Sequence, residues 1–288
     1  MDMMSLSNKF HILYSYAFWK DSVMDLKIFQ DDRVNLFLDS GAFTNFTQNK
    51  DVVKLDDYIH FCQQNKSWLW NYISLDVIGD ETQSNHNFEV MRSAGLKPIP
   101  VFTRSNLDPK TRAKELLKLC EKNEFIAIGG VAGRLNRTAD KEYLYQTCRF
   151  IRKHTKSKVH ILGCGAVSIA KDLRPYSMDS SASSQWNAYG ALCLWNNIKK
   201  KIEVVNRHTT SKKLDSYGLL LKKYRLSKSF VSNDLFWSTE NHVRRGNINL
   251  YTFYKMQKFL IKNNVRYFQA LPTSYIQRFD EMVTDYGL

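Results

Sequence analysis

Three aspartates each stand at the end of a short apolar run. Leu36-Phe37-Leu38 leads into Asp39-Ser40-Gly41, Tyr72-Ile73-Ser74-Leu75 into Asp76, and Tyr176-Ser177-Met178 into Asp179-Ser180-Ser181. Apolar runs of this length, bounded by small turn-forming residues, read as buried strands. Glycines take the acid's place after two further runs, at Gly129-Gly130 and at Gly163-Cys164-Gly165. Taken singly, an acid after a strand is a helix cap or a turn former. Three in the same position at the strand ends of one barrel would converge on one rim. Carboxylates without a metal-binding pattern suit glycosidic chemistry, in which one acid attacks the anomeric carbon and another handles the leaving group's proton. The glycines would let backbone N–H groups approach a flat ligand closely.

Metal and disulfide chemistry find little support. The five cysteines (62, 120, 148, 164 and 193) form no C-x-x-C pair, and the seven histidines form no H-x-H or H-E-x-x-H pattern. No zinc and no cofactor are expected. The opening residues lack the layout of a secretion signal, and no apolar run approaches the ~20 residues of a membrane span. With unpaired thiols, this leads to the expectation of a cytoplasmic protein without a membrane partner.

The elements that would carry the acids alternate. Strands are expected at His11 to Tyr16, up to Asp39, up to Asp76, at 98–102, 125–130, 159–163 and near Asp179, with an eighth at Ile202 to Val205. Helical patterns fall at 21–30, 55–65, 81–94, from Asn106 or Asp108 through Glu121, 138–153, 168–173 and 185–199. Eight β/α steps predict an α/β fold, a (β/α)8 TIM-type barrel over residues 1–206, whose strands would present their C-terminal ends as one active face. An open doubly wound sheet is the fallback, although no G-x-G-x-x-G opens the first unit. Residues 207–288 read as a basic helical C-terminal extension packed on the barrel.

The stretches Asp39-Ser40-Gly41-Ala42-Phe43, Leu75-Asp76, Ala127-Ile128-Gly129-Gly130-Val131 and Ile161-Leu162-Gly163-Cys164-Gly165 resemble, in order and strand position, the signature stretches of the queuine/archaeosine tRNA-guanine transglycosylases. The likeness covers residues 10–195. It implies that Asp179 is the nucleophile at the sugar C1′ and Asp39 the general acid/base. Asp76 would read the base, since guanine and 7-deazaguanines offer N1–H and the 2-amino group to two carboxylate oxygens. Phe43 and Leu162 would cover the two faces of the base, although core packing is their plain alternative. Gly129 and Gly130 would line its edge, Gly130 giving its N–H to O6, with Val131 beside the 7-substituent.

The tRNA enzymes' zinc site of cysteines and histidine is missing, Pro100-Val101-Phe102-Thr103-Arg104 fills the slot of their glutamine motif, and the nucleophile stretch is Ser-rich. The chain is thus more similar to the zinc-free branch, known from bacteriophages and bacterial DNA-modification clusters, that inserts 7-deazaguanines into DNA. The implied partners are DNA, or alternatively tRNA, and a free 7-deazaguanine base of the preQ0/preQ1 type as co-substrate. Other readings are an N-glycoside hydrolase, a non-catalytic nucleic-acid-binding barrel, and a phosphate-binding barrel using the glycine pairs.

Charge agrees with a polyanionic partner. The net charge is +14, and residues 199–288 hold 17 Lys/Arg against 7 Asp/Glu, interleaved with aromatics. Lys222, Lys223, Arg225, Arg244 and Arg245 are the expected nucleic-acid contacts, against the alternative of a merely solvated face.

Overall fold

The computed structural model describes residues 9–19, 31–43, 46, 53–104, 108–132, 134, 135 and 137–270. The helix expected at 21–30 and the alternative cap Asn106 lie outside these residues. Eight parallel strands form one curled sheet: β1 (Phe10–Ser15), β2 (Val34–Asp39), β3 (Leu69–Tyr72), β4 (Val101–Phe102), β5 (Phe125–Ile128), β6 (Lys158–Ile161), β7 (Ser177–Ser180) and β10 (Arg266–Ala270). They lie in the order β3-β2-β1-β10-β7-β6-β5-β4. Between β3 and β4 there is no ladder, only an isolated parallel bridge between Ile73 and Ile99. There the Ile99 N–H donates to Tyr72 O at 2.9 Å and the Ser74 N–H to Ile99 O at 2.9 Å. The molecule is thus an α/β fold with a TIM-like strand order and a curled sheet that no ladder closes.

Side chains alternate across the strands. Leu13, Phe37, Ile73, Ile99, Ala127 and Phe268 fill the concave interior, while Ile12, Leu36, Ile126, Met178 and Tyr267 face the surrounding helices. Both faces are covered, which explains the near-continuous apolar runs. Helices Leu55–Asn65, Glu81–Ser93, Pro109–Lys122 and Thr138–His154 fall where the periodicity puts them. Asp108 caps the third, accepting from the Lys110 and Thr111 N–H groups, with Pro109 in its first turn.

The eighth strand of the sheet is not the expected one. Ile202 to Val205 lies in β9 (Lys201–Val205), which pairs antiparallel with β8 (Leu192–Asn196) in a separate hairpin. The segment 185–199, read as helical, is a short helix Ala182–Ala188 followed by β8. Leu192 and Leu194 pack into one cluster and Cys193 and Trp195 into another. A strand buried on both faces has no polar alternation, so its apolar run mimics a helix. The strand that joins the sheet is β10, from the segment read as C-terminal extension. It lies between β1 and β7, with Phe268 opposite Asp179.

Helix His242–Ile261 ties these parts together and is buried along most of its length. Its Ile248 packs with the hairpin, Leu250 and Tyr254 beside β1 and β2, and Phe253, Met256 and Leu260 beside β6 and β7. Its polar side chains take up open backbone groups. Asn249 Oδ1 accepts the Cys193 N–H and Thr252 Oγ1 donates to Cys193 O. Gln257 accepts the His11 N–H and donates to Lys9 O. Losing one buried aromatic such as Phe253 costs about 3–5 kcal/mol.

A chain ending at residue 206 lacks both this helix and β10, leaving β1 and β7 without their shared neighbour. Its expected behaviour is loss of the cooperative melt followed by far-UV circular dichroism. A soluble 1–206 fragment with a sharp transition would show that the sheet stands without β10.

Candidate active site

Asp39 closes β2, Asp76 follows β3 by four residues, and Asp179 lies in β7, so all three occupy the C-terminal side of the parallel sheet. Two of them are shifted by an acidic neighbour. Burial, then repulsion from Asp179, raises the Asp39 pKa to about 6, although the Gly41 N–H, the Ser15 hydroxyl and the Ser40 N–H pull it partly back. Asp76 is pushed up to about 7 by burial and then by Asp39, against the favourable Ser40 hydroxyl. A desolvated carboxyl beside another carboxylate resists ionisation.

Strand register explains these contacts. Ser15 pairs with Asp39 across β1 and β2, and the Gly41 N–H donates to Asp39 Oδ2 at 3.0 Å. Asp76 hangs from a fixed segment, because Asn87 of helix Glu81–Ser93 donates to Leu75 O at 2.9 Å. Tyr58 of helix Leu55–Asn65 holds Ile73 O at 2.7 Å.

Asp179 is the most enclosed of the three. Its Oδ1 accepts from the Gly163 N–H at 2.9 Å and lies 3.0 Å from His160 Nε2. The other imidazole nitrogen is 2.8 Å from Ser177 Oγ. With Nε2–H donated to the carboxylate, Nδ1 accepts the serine proton, so Ser177 fixes the ring that fixes the acid. Among the described residues Oδ2 accepts no hydrogen bond, which leaves an oriented oxygen with a lone pair to offer. Gly163 has φ +66°, and a Cβ there would stand 2.4 Å from the Ala132 Cβ. Only glycine turns here and still presents its N–H to Asp179.

His160 was not singled out from the sequence. Its signal was a polar residue at the inward position of an apolar strand, where it stands edge-on to Phe37 with ring centroids 4.7 Å apart.

The other expected residues divide. Phe43 is 62% exposed beyond β2 and is therefore not core. Leu162 is half-buried at the interior cluster beyond β6. Gly129 follows β5, and Gly130 turns at φ +79° with Arg104 close by. Val131, expected beside a 7-substituent, is fully buried in the cluster between sheet and helices.

The basic residues also divide. Lys222 and Lys223 end helix Gly218–Lys223 and are exposed, as is Arg225. The guanidinium of the exposed Arg244 lies 4.5 Å from the Phe230 ring centre. Arg245 is buried and spends its guanidinium on the carbonyls of Phe236 and Ser238. It braces the fold and is not a surface contact.

Among the described residues, no helix is long and apolar enough to cross a membrane, and no group of His, Cys, Asp and Glu is arranged to hold a metal ion. Neither a scan against protein-family models nor a search of curated proteins finds a match.

The raised carboxyls carry a pH signature. From about pH 4 to about 7 the folded chain keeps protons that the unfolded chain has released, so stability falls as pH rises through the two values. Asp76→Asn removes one ionisation from this crowd. Its melting temperature is expected to exceed the wild type's by a few degrees at pH 8, roughly 1–2 kcal/mol, with the gap closing near pH 4. A variant destabilised equally at both pH values would show that Asp76 is held by its bonds and not strained by its neighbours.

Proposed function

We propose that this chain is a base-exchange transglycosylase that replaces guanine in DNA with a free 7-deazaguanine base. The observation that carries the reading is the gathering of three carboxyl groups on one rim, with Asp39 raised to about 6 beside Asp179 and Asp76 to about 7 beside Asp39, while Asp179 is fixed by Gly163 and His160. A carboxyl that titrates near neutrality can both give and take a proton, as general acid/base work requires.

The steps balance without a cofactor. Asp179 Oδ2 attacks C1′ of the deoxyribose, the glycosidic C–N bond breaks, and Asp39 delivers its proton to the departing guanine. An ester joins Asp179 to the strand. The incoming base loses its N9 proton to Asp39 and attacks C1′, and the ester breaks to restore Asp179. Asp76, once ionised, accepts from N1–H and the 2-amino group of either base, and Phe43 offers its exposed ring for stacking. The target nucleotide must leave the helical stack to reach such a recess. The choice of DNA follows from the likeness of the Ser-rich stretch 179–184 to the zinc-free branch and from the basic C-terminal third.

The test is to trap the ester. Wild-type protein given guanine-containing single-stranded DNA, or tRNA in a parallel arm, without an acceptor base is expected to form a species on denaturing gels that carries the DNA strand. Asp179→Asn abolishes it, because an amide of nearly the same size is a poor nucleophile. Asp39→Asn slows its formation and its resolution without removing the nucleophile. An undiminished adduct in Asp179→Asn would move the nucleophile elsewhere, and an adduct with tRNA alone would reassign the substrate.

A further inference from the structure

Two arginines on the β4–β5 side of the same rim take no part in that chemistry. Arg104 follows β4 by two residues, and Arg134 lies beyond the Gly129-Gly130 turn that ends β5. Both bind one carboxylate. Arg104 Nη1 donates to Asp140 Oδ1 at 2.9 Å, and Arg134 Nε lies 3.3 Å from Oδ2. The Asp140 side chain is 2% exposed, whereas those of the arginines are 44% and 50% exposed. The acid is sunk in the fold and the guanidinium groups stand at its surface.

Charge balance makes the arrangement informative. One carboxylate offsets one of two cations, so the trio keeps a net positive charge. Each guanidinium has five N–H donors, and each spends only one contact on Asp140. Arg104 already neutralises Asp140 through a 2.9 Å hydrogen bond, and the Arg134 contact at 3.3 Å is looser, so the second charge exceeds what pairing the buried acid needs. Two planar cations fixed at one spot suit a tetrahedral oxyanion, which accepts several N–H bonds at once. Asp140 lies in the first turn of helix Thr138–His154, whose N-cap makes no side-chain hydrogen bond, and the helix dipole adds positive potential there. The position is close to the proposed base site, since a Cβ on Gly130 would stand 3.7 Å from the Arg104 backbone nitrogen.

We propose that Arg104 and Arg134, positioned by Asp140, clamp one backbone phosphate of the bound strand beside the extruded nucleotide. The clamp rests on the nucleic-acid reading for the identity of its ligand. It gives the strand a fixed register on the side of the mouth opposite β1 and β10.

The test uses the full chain and a fluorescein-labelled, guanine-containing single-stranded oligodeoxynucleotide, with anisotropy followed over a sodium chloride series. Each phosphate contact on a single strand contributes about 0.7 to the slope of log K against log salt. Arg104→Gln and Arg134→Gln are each expected to lower that slope and weaken binding several-fold at ~0.1 M salt. Because both hold the same phosphate, the double variant loses about 0.7 in slope and not twice that. Arg104→Lys keeps the positive charge and is expected to keep the slope and most of the affinity, whereas a slope as low as that of Arg104→Gln would show that charge at this position does not hold the phosphate. Lys114→Gln, which removes one exposed charge from helix Pro109–Lys122, leaves binding unchanged. Wild-type slope and affinity in both glutamine variants would overturn the clamp while leaving adduct formation at Asp179 as a separate readout of base exchange. Absence of wild-type binding to the oligonucleotide would overturn both.

Discussion

Gathering three carboxyl groups on one rim costs free energy, and much of the surrounding structure serves to hold them there. Burial and mutual repulsion oppose ionisation of Asp39 and Asp76, so a looser scaffold would relax by letting them part. The parallel sheet prevents this. Asp39 is locked beside Ser15 by the β1–β2 ladder, and Asp179 beside Phe268 by the β7–β10 ladder. Asp76, beyond the end of its strand, is held through Leu75 by Asn87. Compensating donors, among them the N–H groups of Gly41 and Gly163 and the ring of His160, offset only part of this cost. The site is destabilising by construction, which is common where acid/base groups are tuned.

Scaffold and site meet in helix His242–Ile261. It packs against β10, whose Phe268 is the register partner of Asp179, and its Asn249 and Thr252 hold the β8 backbone of the inserted hairpin. The basic C-terminal third is therefore also a structural part of the molecule. Arg245 illustrates the division, being buried against carbonyls while Lys222 and Lys223 face solvent.

The three acids and the glycine turns were legible in the sequence because each strand ends abruptly, and a change from apolar run to acid or glycine is a local signal. What was not legible depended on distant partners. β8 hides its period because Leu192, Cys193, Leu194 and Trp195 are all buried. β10 enters the sheet out of sequence order, after a long helix, so counting β/α steps assigned the eighth place to Ile202–Val205. Val131 continues a glycine stretch that looks like pocket lining, yet it turns into the layer beneath the helices. The roles of His160 and Asp140 emerge only when β6 meets β7 and when helix Thr138–His154 meets the ends of β4 and β5.

If the rim works as a base-exchange centre, it must swap a base without breaking the strand. Isotope-labelled free guanine supplied to the protein with unlabelled guanine-containing DNA measures this directly, since exchange of guanine for guanine needs no particular 7-substituent. The account predicts label in the full-length strand with wild-type protein and none with Asp179→Asn. Strand-bound label from Asp179→Asn at the wild-type rate, or abasic sites formed by wild-type protein with no label incorporated, would contradict it.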